Sequence, residues 1–191
     1  MNINEIIETN RLSLRHFTLE DLDDFFEYAQ MDEIGPNCGW EPIKDKNKAL
    51  ERLNKMINAD YYYFAIVLKE NNKVIGNISL STPDVRRYVN IEIEDGAKEI
   101  GFALSKNYWG NGYMTEAVNE IIKYSFEVLN IPSIYSLTLS SNTNSIKLQE
   151  KCGLSSLKER IDVHWIDGSI KEMTPKKITK EEYFDKKQIN I

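Results

Sequence analysis

The sequence predicts a mixed α/β (α+β) fold, and three observations predict it. Two-residue alternation of apolar side chains marks extended segments through the first half of the chain. The centre alternates strand, helix, strand and helix. Short polar or glycine-bearing turns join neighbouring strands as hairpins, which makes a Rossmann-type sheet a poorer fit.

Each element follows from local chemistry. Arg11-Leu12-Ser13-Leu14-Arg15-His16-Phe17 alternates and reads as a first strand. Thr18 or Glu20 can cap the helix that follows, in which Leu22, Phe25, Phe26 and Ala29 recur at helical spacing until Gly35-Pro36 breaks it. A second helix is expected over residues 46–58. Residues 62–68 and 73–80 read as a hairpin around Asn71-Asn72, and residues 88–94 and 99–104 as a further extended pair around Asp95-Gly96. Met114, Ala117, Val118, Ile121, Ile122, Phe126 and Leu129 mark a long amphipathic helix over 111–129. A short strand over 134–139, a helix over 142–152 closed by Gly153, and a strand pair over 155–178 turning at Asp167-Gly168 complete the chain.

At 191 residues, 41% of them hydrophobic, the chain is expected to form a single domain over 1–191. Thirty acidic against twenty-four basic residues, a net charge of −6, argue against a surface built to hold nucleic acid. No apolar run approaches the roughly 18 residues needed to span a bilayer, and Met1-Asn2-Ile3-Asn4-Glu5 lacks the plan of an export signal, so no membrane association and a cytoplasmic location are expected. Cys38 and Cys152 form no CxxC pair and are expected to be buried reduced thiols. No His/Cys/Asp cluster has metal-ligand spacing, so no metal is expected.

The most informative stretch is Asn107-Tyr108-Trp109-Gly110-Asn111-Gly112-Tyr113-Met114-Thr115-Glu116-Ala117, which joins a strand to a helix through two glycines. Glycines let successive N–H groups converge, and a helix N-terminus adds partial positive charge, a combination suited to phosphate. The alternative is a turn that merely lets helix and sheet pack closely. No Gly-Lys-Ser or Gly-Lys-Thr occurs, which excludes a Walker loop. A dinucleotide fingerprint fails too, because Thr115 stands at the third glycine and Leu139-Ser140 ends the next strand where an acidic residue is needed.

With these residues in view, the sequence resembles the GCN5-related N-acetyltransferase (GNAT) family, in its RimJ/RimL-like ribosomal-protein-alanine branch. The likeness runs through Thr9-Asn10-Arg11-Leu12-Ser13-Leu14-Arg15, Val74-Ile75-Gly76, Glu99-Ile100-Gly101-Phe102, the glycine turn, Asn142-Thr143-Asn144-Ser145-Ile146 and Glu150-Lys151-Cys152-Gly153-Leu154. The resemblance implies a mostly antiparallel sheet with a V-shaped strand splay and a β-α-β-α core that binds acetyl-CoA as co-substrate. It implies that the diphosphate lies on the amides of residues 108–113, with Asn107 and Met114 flanking them. Phe102, Ala103 and Leu104 would face the thioester and Asn142 and Ser145 the pantetheine arm and sulfur, while Lys147 and Lys151, four apart on one helix, are candidates to meet the 3′-phosphate. The sequence departs from the family in having Asn107 where Gln, Arg or His is usual, and Gln149 where many relatives have a tyrosine general acid. An amide has no proton to give, so that role cannot pass to Gln149.

Acetyl transfer to an amine needs a neutral nucleophile, a polarised carbonyl and an outlet for the thiolate. Glu99 is the expected base, acting through water, with Glu92 and Glu94 as alternatives that would instead hold a cationic acceptor. Ser145 is the expected partner of the sulfur, while Ser141, Asn142 or Asn144 is expected to cap the helix. His16 and His164 are expected to be packed. The expected function is an N-acetyltransferase acting on a protein or peptide N-terminal α-amine, as a monomer or homodimer. A polyamine, aminoglycoside or amino-acid acceptor, or a CoA-binding sensor without catalysis, are the alternatives.

Overall fold

The computed structural model describes residues 5–157 and 160–189. The chain divides into two compact units, residues 1–80 with 101–120 and residues 81–100 with 121–191.

In the first unit, β1 (Ile6–Glu8), β2 (Leu12–His16), β3 (Tyr62–Leu68) and β4 (Lys73–Ser81) pair antiparallel in that order. The register sets Ile7 opposite Leu14, Leu14 opposite Ile66 and Phe64 opposite Ile78, so the apolar sets share a face. Two helices, α1 (Leu22–Ala29) and α2 (Lys46–Ile57), supply Phe25, Tyr28, Ala49, Leu53 and Met56 to a core with Phe17, Ala65, Val67, Val74 and Ala103. The Asp45 side chain accepts from the N–H groups of Asn47 and Lys48 and starts α2. The end of β5 (Lys98–Leu104) also belongs here. A Cβ at Gly76 would stand 2.3 Å from the Ala103 carbonyl oxygen, so only glycine allows this approach.

In the second unit, the start of β5 pairs parallel with β6 (Ser133–Leu139), Lys98 opposite Ile134 and Glu99 opposite Tyr135. β6 runs antiparallel to β9 (Ile170–Thr179) along its whole length, and β9 also carries β7 (Ser155–Ser156) and β8 (Ile161–His164). The second half of α3 (Tyr113–Glu127) buries Ile121, Ile122 and Phe126. α4 (Thr143–Lys151) follows β6, and α5 (Lys180–Ile189) follows β9. The result is the expected mixed, mostly antiparallel α/β fold. Among the described residues, no helix is long and apolar enough to cross a membrane.

Several expectations need correction. The first helix stops at Ala29, not at Gly35, because the Ala29 carbonyl accepts the Ile43 N–H at 2.9 Å and the chain turns back there. Residues 88–94 are not a strand. Asp84 caps a 3₁₀ turn at Val85–Arg87, Asn90 takes φ 59°, and Tyr88 turns into a cluster with Ala97 and Tyr135. Cys152 is buried but Cys38 is exposed. His164 is exposed too, since β8 alternates and puts Ile161 and Val163 inward. Neither β1 nor α5 was foreseen: three residues show no period, and Lys180–Ile189 carries no apolar stripe.

Candidate functional site

In the first unit, the glycine turn begins with a 3₁₀ turn at Lys106–Tyr108 and opens α3. Gly110 and Gly112 take φ of 79° and 78°, the left-handed region that favours glycine. Most carbonyl oxygens of this segment are engaged. Leu104 accepts from Trp109 Nε1 at 2.9 Å, Ser105 from the Tyr108 N–H, and Lys106 from the Trp109 N–H. Asn111 Nδ2 bonds the carbonyls of Tyr108 and Trp109, and the Gly112 carbonyl accepts the Glu116 N–H that starts the helix.

The N–H groups divide differently. Those of Tyr108 and Trp109 are occupied within the turn, whereas those of Gly110, Asn111, Gly112, Tyr113 and Met114 have no acceptor among the described residues. A Cβ at Gly110 would meet nothing within 4 Å, so the backbone there is open to an approaching group. A run of open donors with its carbonyls tied back, at a helix N-terminus, is an anion site made of main chain.

Three residues to which the sequence reading gave no role brace this turn. The Glu116 carboxylate, in the first turn of α3, accepts from Thr9 Oγ1 at 2.6 Å, from the Arg11 N–H at 2.8 Å and from Arg11 Nε at 2.7 Å. Arg11 Nη1 reaches the Asn111 carbonyl at 3.0 Å, and its guanidinium lies 4.4 Å over the Tyr113 ring. Desolvation pushes the Glu116 pKa up, but the bonds from Thr9 and Arg11 outweigh it and hold the carboxyl below its ordinary value. The acid is thereby kept ionised and engaged, not left bare at the helix end. Thr9 and Arg11 were visible in the sequence only as part of the family likeness; a pairing over 105 residues leaves no local signal.

In the second unit, Asn142 is the N-cap of α4, with Oδ1 accepting the Ser145 N–H at 3.1 Å. Ser145 and Gln149 lie one turn apart on one face. Gln149 is buried, and its Nε2 donates to Thr138 Oγ1 at 2.5 Å and to Ser145 Oγ at 3.0 Å. Lys147 is exposed on the same helix. Nearby, the Lys176 side chain is fully buried, with Nζ 2.9 Å from Glu150 Oε1 and 2.7 Å from Ser156 Oγ.

Glu99, also in this unit, accepts from Tyr88 Oη at 2.8 Å and Arg87 Nη1 at 3.1 Å. Burial, followed by the Glu99 charge, raises the Tyr88 pKa far above the usual phenol value, so Tyr88 stays a donor. Glu92 and Glu94 are exposed on the irregular 88–97 segment, and Glu94 lies 3.6 Å from Lys177. In the first unit, the Cys38 thiol is 3.6 Å from the Phe102 carbonyl oxygen, and Ala103 and Leu104 are buried. Asn107 is exposed in the 3₁₀ turn, and Asn111 makes the side-chain bonds that close the turn. The His16 ring lies 5.7 Å from that of Phe64, tilted at 49°, and desolvation lowers its pKa.

Comparison with known proteins gives the family and the fold. The family model described as an acetyltransferase (GNAT) domain matches residues 11–155. An uncharacterized N-acetyltransferase, p20, of Bacillus licheniformis is 34% identical over 149 residues, covering 75% of this chain and 79% of that protein. Among solved structures, the spermidine N-acetyltransferase of Vibrio cholerae in complex with CoA and spermine superimposes with TM-score 0.73 at 22% identity, over 92% of this chain and 99% of the other. The ribosomal-protein-S5-alanine acetyltransferase of Vibrio fischeri gives TM-score 0.68 at 21% identity, over 93% and 97%.

Proposed function

Since the chain belongs to the acetyltransferase (GNAT) family and is an N-acetyltransferase using acetyl-CoA, we propose that it acts on the α-amino group of a protein or peptide N-terminus, in the RimJ/RimL-like manner. The observation that carries the acetyl-CoA side of this reading is the row of open amides from Gly110 to Met114, backed by carbonyls most of which are tied away. That donor set fits a diphosphate.

Bound there, acetyl-CoA supplies an acetyl group activated as a thioester. The amides of residues 110–114 hold the diphosphate, with Asn107, Tyr108 and Trp109 shaping the turn. The half-exposed Arg11 guanidinium, beside Gly112, adds positive charge. Backbone N–H groups of Phe102, Ala103 and Leu104 polarise the carbonyl. Asn142 meets the pantetheine arm, Ser145 gives a hydrogen bond to the sulfur and Lys147 meets the 3′-phosphate. Glu99, held in place by Tyr88 and Arg87, takes the proton of the incoming amine through water. An α-amine with a pKa near 8 is roughly one-tenth neutral at about pH 7, whereas a lysine amine near 10.4 is under about one-thousandth neutral. The α-amine therefore demands less of the base.

The resemblance to the ribosomal-protein-alanine branch supports the protein acceptor, and the spermidine enzyme among the structural neighbours supplies the competing one. Release of free CoA with a panel of peptides bearing free alanine or serine N-termini, set against polyamines, decides between them. Peptides are expected to win, and a preference for polyamines would overturn the protein acceptor. Acetyl-CoA is expected to raise the melting temperature, and no shift at millimolar concentration would overturn the site itself. Glu99→Gln is expected to lower kcat/KM without loss of acetyl-CoA affinity.

A further inference from the structure

Gln149 stands where a tyrosine would supply a proton, yet the structure gives its amide a defined job. Both Nε2 bonds go to hydroxyl oxygens, those of Thr138 and Ser145, while Oε1 is buried without a partner. The opposite amide orientation would make both hydroxyls donors to Oε1 and bury an NH₂ with two unpaired donors. An unpartnered carbonyl is the more tolerable of the two defects, so the orientation with Nε2 on the hydroxyls is favoured.

The consequence falls on Ser145. Its oxygen is occupied as an acceptor, so its proton must point elsewhere. It sits in the first turn of α4, preceded by no helical carbonyl four residues back that would absorb that proton. No acceptor for it exists among the described residues, and the side chain is half-buried, not sealed.

We infer that Gln149 is a positioning residue that fixes the Ser145 hydroxyl as an outward hydrogen-bond donor, for the sulfur of CoA. The inference rests on the acetyl-CoA reading above and names the group that sets the polarity of its leaving-group contact. In the transfer, a carbon–nitrogen bond forms, the carbon–sulfur bond breaks with its electron pair going to sulfur, and the proton shed by nitrogen ends on sulfur. Ser145 stabilises the negative charge in between and itself neither gains nor loses a proton.

The test reads CoA bound to the full chain, by the ultraviolet absorbance of its thiolate across about pH 7–10, around the ordinary thiol value near 8.5. A correctly aimed hydroxyl stabilises the thiolate, so the bound thiol is expected to titrate about half a unit or more below free CoA. Gln149→Glu keeps the shape and reverses the polarity, since a carboxylate only accepts. In it, as in Ser145→Ala, the shift is expected to vanish and acetyl transfer to fall about tenfold, and the double variant is expected to be no worse than either single. If Gln149→Glu fails to fold, Thr138→Val with Gln149→Met removes the donor and its second acceptor together, a change that is often near neutral for stability; the shift is expected to shrink there as well. An unchanged shift in the variant that folds, or losses that multiply in the double variant, would overturn the inference and leave the acetyl-CoA reading standing. Failure of the unaltered protein to bind CoA would bring down both.

Discussion

The glycine turn of the first unit and the polar cluster around α4 of the second solve opposite problems. The turn is exposed main chain whose useful groups are amides left without partners, and side chains appear only as braces: Asn111 behind its carbonyls, Arg11 and Glu116 at its far end. The α4 cluster is side chain throughout and largely buried, with Gln149 and Lys176 removed from solvent and each held by two partners. A main-chain site needs particular φ values more than particular contacts, so substitutions in it should alter binding. A buried side-chain network concentrates desolvated polar groups, so breaking it should alter stability.

The largest effect expected from this contrast lies at Lys176. Glu150→Ala would leave a fully buried ammonium with Ser156 as its one partner among the described residues, and losing one partner of a buried pair costs about 3 kcal/mol or more. For a chain of this size that is a fall in Tm of roughly 6–12 °C. Lys176→Met should do far less, because Glu150 is half-exposed and water can take over its solvation. Thermal melts of the two variants check the asymmetry; equal losses would mean that the lysine stem, not its charge, matters there.

Gly110→Ala probes the other side of the comparison. With φ at 79° and nothing within 4 Å of the added Cβ, the change carries no clash, only the roughly 1–2 kcal/mol that an L-residue pays in the left-handed region. If the backbone flips to relieve that strain, the donors lose their convergence. Acetyl-CoA affinity is expected to fall about 5- to 30-fold by titration calorimetry, with Tm lower by only a few degrees.

The same contrast explains what the sequence could tell. The turn was legible because its requirement is written in residue type: two glycines between a strand and a helix announce unusual backbone angles wherever they occur. Asn142 was legible as a cap for the same local reason. The hairpin over 62–81 and the helices α2, α3 and α4 were readable from period, with ends off by a residue or two. The segment 88–94 misled because Val89, Ile91 and Ile93 alternate like a strand with Asn90, Glu92 and Glu94, while Asn90 stands in the left-handed region, Asp84 caps a turn and Tyr88 packs with Tyr135. Gln149 was readable only as the absence of a tyrosine. Its role depends on Thr138, eleven residues away and on another element, and no spacing rule connects them.

A smaller effect is expected at the brace. Arg11→Met removes its side-chain bonds to Glu116 and to the Asn111 carbonyl, and Glu116→Gln removes the charge they meet. Because Arg11 is 40% exposed, water replaces part of what is lost. Each single change is expected to weaken acetyl-CoA binding about three- to tenfold, and the double change little further, since the two residues hold one turn between them. Full additivity would show that Arg11 meets the diphosphate directly and does not act through the turn.

The least effect is a pH dependence at Glu116, and its sign follows from the direction of the shift. The folded protein holds this carboxyl below its unfolded value, with the bonds from Thr9 and Arg11 outweighing desolvation. A depressed pKa means that the unfolded chain binds the proton first, so the stabilisation is fully present above the unfolded value of about 4.3 and is lost as pH falls through the lower folded value. Melting temperatures between about pH 3 and 6 should therefore fall more steeply in the unaltered protein than in Glu116→Gln, the two curves converging toward the acid end. The Thr138–Gln149–Ser145 network should add no slope of this kind, because none of its three side chains titrates in that range. An acid limb as steep in Glu116→Gln as in the unaltered protein would place that sensitivity in other carboxylates and remove the brace from the account of the turn.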